Sequence, residues 1–539
     1  MSQNADAGPG PRPDGATGPA GSAPSERPVS VASARPAPGP ARTRSWHAEL
    51  AWLPGVGVLP DVLVEAAGDR FTAVTARVAA ARLPPGTIRL AGLTLPGLAN
   101  AHSHAFHRAL RGVTQAGRGT FWTWRERMYQ VAASLDPDSY LALARAVYAE
   151  MALAGVSCVG EFHYLHHGPG GQPYADPNAM SRALLEAAAQ AGIRITLLDA
   201  CYLSGGLDRS GASLPLAGPQ LRFGDGRPEA WAARISALGA DSHGLLGPAA
   251  RAGAAIHSVR AVPPDRMQPV IVWAQQAGAP LHVHLSEQTA ENDACLAAYR
   301  RTPAAVLYDA GVLGPRTSVV HATHLTSTDI GLLGGSEVFA CLCPTTEADL
   351  ADGIGPFGAL AAAGCRLTVG SDSQAVVDLF EETRRIELYQ RLASQERGLF
   401  TAEALGTAVT WDGHASLGWP DAGEIAPGSL ADLVTVDLDS ARLAGAGWAR
   451  GDSTAEAVHD SGRGSDTGGA SGPGGGSGPW GGPAGAPDLA VLEAVIFAAT
   501  AADVSNVVIG GRDVVAAGRH LLIGDVPAAL RSAIRDVLH

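Results

Sequence analysis

Residues 95–104 read Leu-Pro-Gly-Leu-Ala-Asn-Ala-His-Ser-His, an apolar run that ends in two histidines spaced i, i+2. On a strand, side chains two apart point to the same side. His102 and His104 can therefore address one point just beyond the strand's end, as imidazole pairs do around a metal ion. Two surface histidines at a loop start would have the same spacing, so the rest of the chain must supply the missing ligands.

Other short apolar runs also end in polar residues. Tyr164 follows one; His257 and Arg260 follow another. His282, His284 and Glu287 end a third, His321 and His324 a fourth, and Asp372 lies in Val369-Gly-Ser-Asp-Ser after a fifth. One buried histidine is usually structural. Histidines at strand end after strand end are hard to explain as core filling.

The elements that must carry these residues follow from periodicity. Strands are expected at 93–101, 156–162, 193–200, 252–257, 280–285, 317–322, 338–342 and 366–370. Helical patterns lie between them, such as 139–154, 179–191 and 264–277. Eight strands alternating with helices predict an α/β fold, a (β/α)8 TIM-like barrel, whose chemistry gathers at the C-terminal ends of the strands.

Around the barrel, at 94–408, the texture changes. Residues 1–45 form a Pro/Gly/Ala-rich tail, read as disordered and without the apolar core of a signal peptide. Residues 46–93 carry short strand-like segments, and the same texture returns at 409–445 and 488–539. Gly510-Gly511 marks a hairpin between two of the later strands. These pieces are expected to form a small β-sandwich from the N- and C-terminal segments, interrupted by a Gly-rich flexible insertion at 446–487.

Composition narrows the chemistry. A net charge of −13 argues against a nucleic-acid partner. No apolar stretch is long enough to span a membrane. The six cysteines are scattered, none in a Cys-x-x-Cys, which suits a reducing, cytoplasmic setting. All 39 basic residues are arginine, so lysine Schiff bases, P-loop lysines and lysine-carbamate metal bridges are excluded.

The histidine constellation resembles the amidohydrolase superfamily of metal-dependent hydrolases, from about residue 46 onward apart from the Gly-rich stretch. The resemblance implies that His102, His104, His284 and Asp372 hold the metal, with His321 beside water or substrate. His282 and His284 share a side of their strand; the family's His-x-x-Glu pattern selects His284 through Glu287. His282 and His324 are then supporting or structural. Two-metal members usually bridge their ions with a carbamylated lysine, so a chain without lysine implies one divalent ion. The three-histidine, one-aspartate set suits Zn2+, with iron or manganese as alternatives. Glu287 is expected to shuttle a proton, Asp372 to orient water, and His321 to stabilise developing charge.

Narrower blocks resemble the formimidoylglutamate deiminase family within that superfamily. They are Asn100-Ala-His-Ser-His-Ala-Phe-His-Arg-Ala-Leu-Arg-Gly, Phe121-Trp-Thr-Trp-Arg-Glu-Arg-Met-Tyr, Glu161-Phe-His-Tyr-Leu-His-His, His257-Ser-Val-Arg-Ala-Val and Val320-His-Ala-Thr-His. The resemblance implies hydrolysis of N-formimidoyl-L-glutamate to N-formyl-L-glutamate and ammonia, in histidine degradation, by a homodimer. Such a substrate carries two carboxylates, and guanidinium binds carboxylate in a bidentate fork. Arg125 and Arg260 are the candidates, with His107, Tyr164, His257 and His321 as further substrate contacts. The chain departs from the family at His107, where a glutamine is common. The alternatives are a deaminase or chlorohydrolase of a ring substrate in the same branch, and a non-catalytic protein built on this barrel.

Overall fold

In the computed structural model, residues 43–115, 117–240, 246–445 and 489–538 are described. The expected tail (1–45) and Gly-rich insertion (446–487) lie outside them, save that Thr43 already opens the first strand, Thr43–Leu53. Among the described residues no helix is long and apolar enough to cross a membrane.

Eight parallel strands form the barrel: Leu98–Ser103, Val156–His163, Arg194–Cys201, Ala250–Ile256, Leu281–Leu285, Thr317–His321, Phe339–Leu342 and Arg366–Val369. Their residues are almost all buried, as strands covered on both faces must be. Local signals set the intervening helices. Asp136 caps Pro137–Leu153 by accepting from the Ser139 N–H at 2.8 Å. Gly192, at φ +79°, ends Ala179–Ala191 in the left-handed conformation and turns the chain into the third strand.

The eighth strand returns to the first. The Asp372 N–H donates to the His102 carbonyl at 3.1 Å, and the His104 N–H donates to the Asp372 carbonyl at 3.3 Å. Gly370 permits this approach, because a Cβ there would stand 2.6 Å from the His102 Cβ.

The expected strand 93–101 is divided. Ile88–Pro96 belongs to a second sheet, and the chain enters the barrel at Leu98 through Gly97, where a Cβ would lie 2.4 Å from the Ser157 Oγ. That second sheet has eight strands, drawn from 43–96 and from 433–520. It is one continuous sheet folded over on itself: the Phe71 N–H donates to the Ser429 carbonyl at 2.9 Å, and Trp46, Val62, Val64, Phe71, Leu433 and Val508 fill the space between its halves. The Gly510-Gly511 turn is present, with both glycines at positive φ. A buried bidentate pair, Arg194 with Asp432 at 2.8 and 3.1 Å, fastens the third barrel strand to this sheet.

Residues 411–419, expected with the small β unit, cover the N-terminal ends of the barrel strands instead. The Ser416 carbonyl accepts from His282, the Leu417 carbonyl from Thr196, and His414 bonds Ser157.

Candidate active site

The first strand delivers His102 and His104 to the C-terminal mouth of the barrel, the fifth delivers His284, and the loop after the eighth delivers Asp372. All four are buried. The Nε2 atoms of His102 and His284 are 3.2 Å apart. Asp372 Oδ1 stands 3.5 Å from the His102 Nε2 and 3.4 Å from the His104 Nε2.

The outward nitrogens are committed elsewhere. His104 Nδ1–H donates to the Phe162 carbonyl and His284 Nδ1–H to the His257 carbonyl, each at 2.8 Å. This fixes the tautomer and turns both Nε2 lone pairs inward. Burial holds His102, His104 and His284 well below the usual histidine range, so they are neutral, the form that ligates metal. Inward lone pairs of neutral imidazoles beside a carboxylate repel unless a cation lies between them. A tetrahedral ion with bonds of roughly 2.1 Å needs ligand–ligand distances of about 3.4 Å, which the measured separations match. The residues fit one divalent ion.

The backbone bends sharply to aim this set. Ser286, His321, Ala322 and Asp372 all have positive φ, between +39° and +70°. Such conformations cost on the order of 1–3 kcal/mol each and persist where surrounding structure enforces them.

His321 sits between carboxylates. Its Nε2 is 3.7 Å from Glu287 Oε1 and 3.8 Å from Asp372 Oδ2, and its Nδ1 is 3.6 Å from Glu347 Oε1. Burial opposes its charge, but Glu287, Glu347 and Asp372 together raise its pKa well above the ordinary value. Burial pushes Glu287 up, toward the range of a group that can both take and give a proton. Burial acts the same way on Asp372, yet its neighbours, His321 foremost, hold it down.

The cleft above is lined by His104, His284, Glu287, His321 and Asp372, together with His107, Arg125, Tyr164, His257 and Arg260. Every residue expected to act thus converges on one place, His102 from just beneath. Arg125 lies over the Trp122 ring at 4.5 Å and has no anionic partner among the described residues. Arg260 is anchored by Glu291, Nε to Oε2 at 3.0 Å. His107 Nε2 is 3.1 Å from the Tyr164 hydroxyl, and burial lowers its pKa to about 4. His282 and His324 point elsewhere, onto the Ser416 and Asp352 carbonyls at 3.2 and 2.8 Å.

Sequence reasoning missed Glu347, Trp124, Tyr129 and Tyr202. Trp124 and Tyr129 lie inside the block Phe121-Trp-Thr-Trp-Arg-Glu-Arg-Met-Tyr. Glu347 follows the seventh strand in Pro344-Thr-Thr-Glu, where no histidine draws the eye.

Residues 93–514 match the sequence profile of the Amidohydrolase family. The chain belongs to that family. Like its relatives, this amidohydrolase is a hydrolase acting on C–N bonds. It is 37% identical to a formimidoylglutamate deiminase of Pseudomonas aeruginosa over 67% of this chain and 80% of the relative. It is 30% identical to an 8-oxoguanine deaminase of the same species, over 66% and 76%. Among solved structures, an amidohydrolase from Brucella melitensis superposes with a TM-score of 0.77 at 30% identity, covering 92% of this chain and all of that one. An adenosine deaminase from Xanthomonas campestris with bound zinc shares the fold at 23% identity, with a TM-score of 0.71 over 91% and 97%.

Proposed function

We propose that this amidohydrolase hydrolyses N-formimidoyl-L-glutamate to N-formyl-L-glutamate and ammonia. The observation that carries the reading is the placement of Arg125 and Arg260 in the same cleft as Glu287, His321 and Asp372. Two guanidiniums facing one reaction centre suit a substrate with two carboxylates and a hydrolysable amidine. Among the described residues Arg125 has no anionic partner, and Arg260 gives its Nε to Glu291. The similarity to the Pseudomonas formimidoylglutamate deiminase supports the same substrate.

His102, His104, His284 and Asp372 would hold one divalent ion, zinc by the donor set, which supplies Lewis acidity that brings the pKa of water to about 7. Asp372 accepts a hydrogen bond from the attacking water and orients it. Glu287 relays the two water protons in turn to the terminal nitrogen of the amidine, one as water adds and one as the nitrogen leaves. The new C–O bond forms, the C–N bond breaks, and ammonia leaves. His321, beside Glu287 and Asp372, donates to the charge that develops at the attacked group. Tyr164 and His257 donate to the bound substrate, and His107 acts beside Tyr164 in the place of the family's glutamine.

A ring deaminase is the second reading. It is favoured by the aromatic wall of Trp124, Tyr164, Tyr202 and Phe223, which could stack a planar base. A neutral ring leaves both arginines without a task. Ammonia release from N-formimidoyl-L-glutamate, set beside guanine and cytosine, separates the two. A reducing cytoplasm, in keeping with six free, buried cysteines, and a homodimer belong to the first reading.

A further inference from the structure

The seventh barrel strand, Phe339–Leu342, runs into Cys343, a fully buried residue that the reaction above does not use. A ring nitrogen of His321, the Cys343 Sγ and a carboxylate oxygen of Asp372 lie within 4.8 Å of one another. Asp372 has an oxygen for each neighbourhood. Its Oδ1 faces His102 and His104 at 3.5 and 3.4 Å, while its Oδ2 faces the His321 Nε2 at 3.8 Å.

The surroundings favour a cation. Glu287, Glu347 and Asp372 stand 3.6–3.8 Å from one imidazole, all of them buried. Glu347 Oε2 is buried with no hydrogen-bond partner. Carboxylates gathered in a dry site draw positive charge in, although Arg260 also acts on Glu287, and Asp352, pushed up by burial to about 9, holds its proton. A thiol, an imidazole and a carboxylate together select a thiophilic ion over magnesium or calcium.

We propose that Cys343, His321 and Asp372 form a second cation subsite, for a thiophilic divalent ion such as Zn2+ or Cd2+, adjoining the first through the shared Asp372 carboxylate. Filling it releases the thiol proton, and any proton on the coordinating His321 nitrogen, to solvent. It also takes His321 away from the reaction centre and sets positive charge beside Glu287, so occupancy inhibits. That inhibition rests on the roles proposed above for His321 and Glu287; the binding does not.

Thiolate–cadmium absorption provides a direct readout. The first ion site contains no cysteine, so exchange of cadmium there is silent. Cys158, Cys201, Cys295, Cys341 and Cys365 belong to no such ligand group among the described residues. Protein carrying one zinc per chain is titrated with Cd2+ at fixed pH. The near-ultraviolet band should saturate at one equivalent, and turnover should fall in step by about a hundredfold, the size of one general acid–base contribution. Cys343→Ser should keep its zinc and basal turnover but lose both the band and the inhibition, while Cys365→Ser keeps both. No band in the unaltered protein, or the same band in Cys343→Ser, overturns the proposal. If the chosen substrate is not turned over, the absorption arm still decides the subsite.

Discussion

The backbone N–H of Asp372 donates to the carbonyl oxygen of His102 at 3.1 Å, so the seam that closes the barrel is made by residues of the ion cluster. Gly370 makes the seam possible. Gly370→Ala should therefore loosen strand pairing and ligand geometry together. Overpacking of this kind costs roughly 1–3 kcal/mol. Thermal unfolding and zinc content should fall in the same variant; a variant with normal zinc and normal melting would show that the seam tolerates a methyl group.

Glu287 stands 3.7 Å from His321 and belongs to no ion-ligand group among the described residues. Glu287→Gln should keep its metal and its fold and lose about 10²–10⁴-fold in kcat, the range of one general acid–base group. Elemental analysis beside steady-state kinetics checks this. Full activity would remove Glu287 from the proton path.

Arg125 is held by aromatic rings and has no anionic partner among the described residues. Arg125→Ala should lower kcat/KM for a dicarboxylate substrate by roughly 10–100-fold, the equivalent of about 1.5–3 kcal/mol for a hydrogen bond to a charged group. An amidine without carboxylates should be hydrolysed equally by both proteins. Equal losses on the two substrates would mean that Arg125 supports the cleft rather than binding a carboxylate.

Acid should destabilise the fold. His107, His166 and His282 are each lowered by burial to about 4, from an ordinary histidine value of about 6.5. Between those values the unfolded chain binds a proton that the folded chain refuses. Their stabilising contribution is thus complete above the unfolded value and declines as pH falls toward 4. At pH 5 the loss is on the order of 2 kcal/mol per histidine. Melting should drop between pH 7 and pH 5, and His282→Gln, which keeps a donor for the Ser416 carbonyl, should flatten that dependence. A melting temperature unchanged over the interval contradicts the assignment.

Much of this was legible in the chain. The helix 179–191 agrees with its expected bounds, and seven of the barrel strands lie within a residue or two of theirs, because buried apolar runs between polar ends leave little choice. The strand 93–101 reads as one element although Pro96-Gly97 interrupts it, because apolar residues flank the pair on both sides; the proximity of Ser157 shows why glycine must be there. His282 and His284 have the same parity. The His-x-x-Glu spacing to Glu287 tells them apart; the physical reason, residues 411–419 beneath the barrel holding His282, is a long-range contact. Glu347 escaped notice because its importance lies in facing His321 from a neighbouring strand's loop.

On the proposed reading, this cleft hydrolyses an amidine bearing two carboxylates. The most direct test is ammonia release by the zinc-loaded protein from N-formimidoyl-L-glutamate, measured beside N-formimidoyl-L-aspartate, guanine and cytosine. Release from the glutamate derivative should stand well above that from the other three. Turnover of guanine or cytosine with none of the glutamate derivative would contradict it.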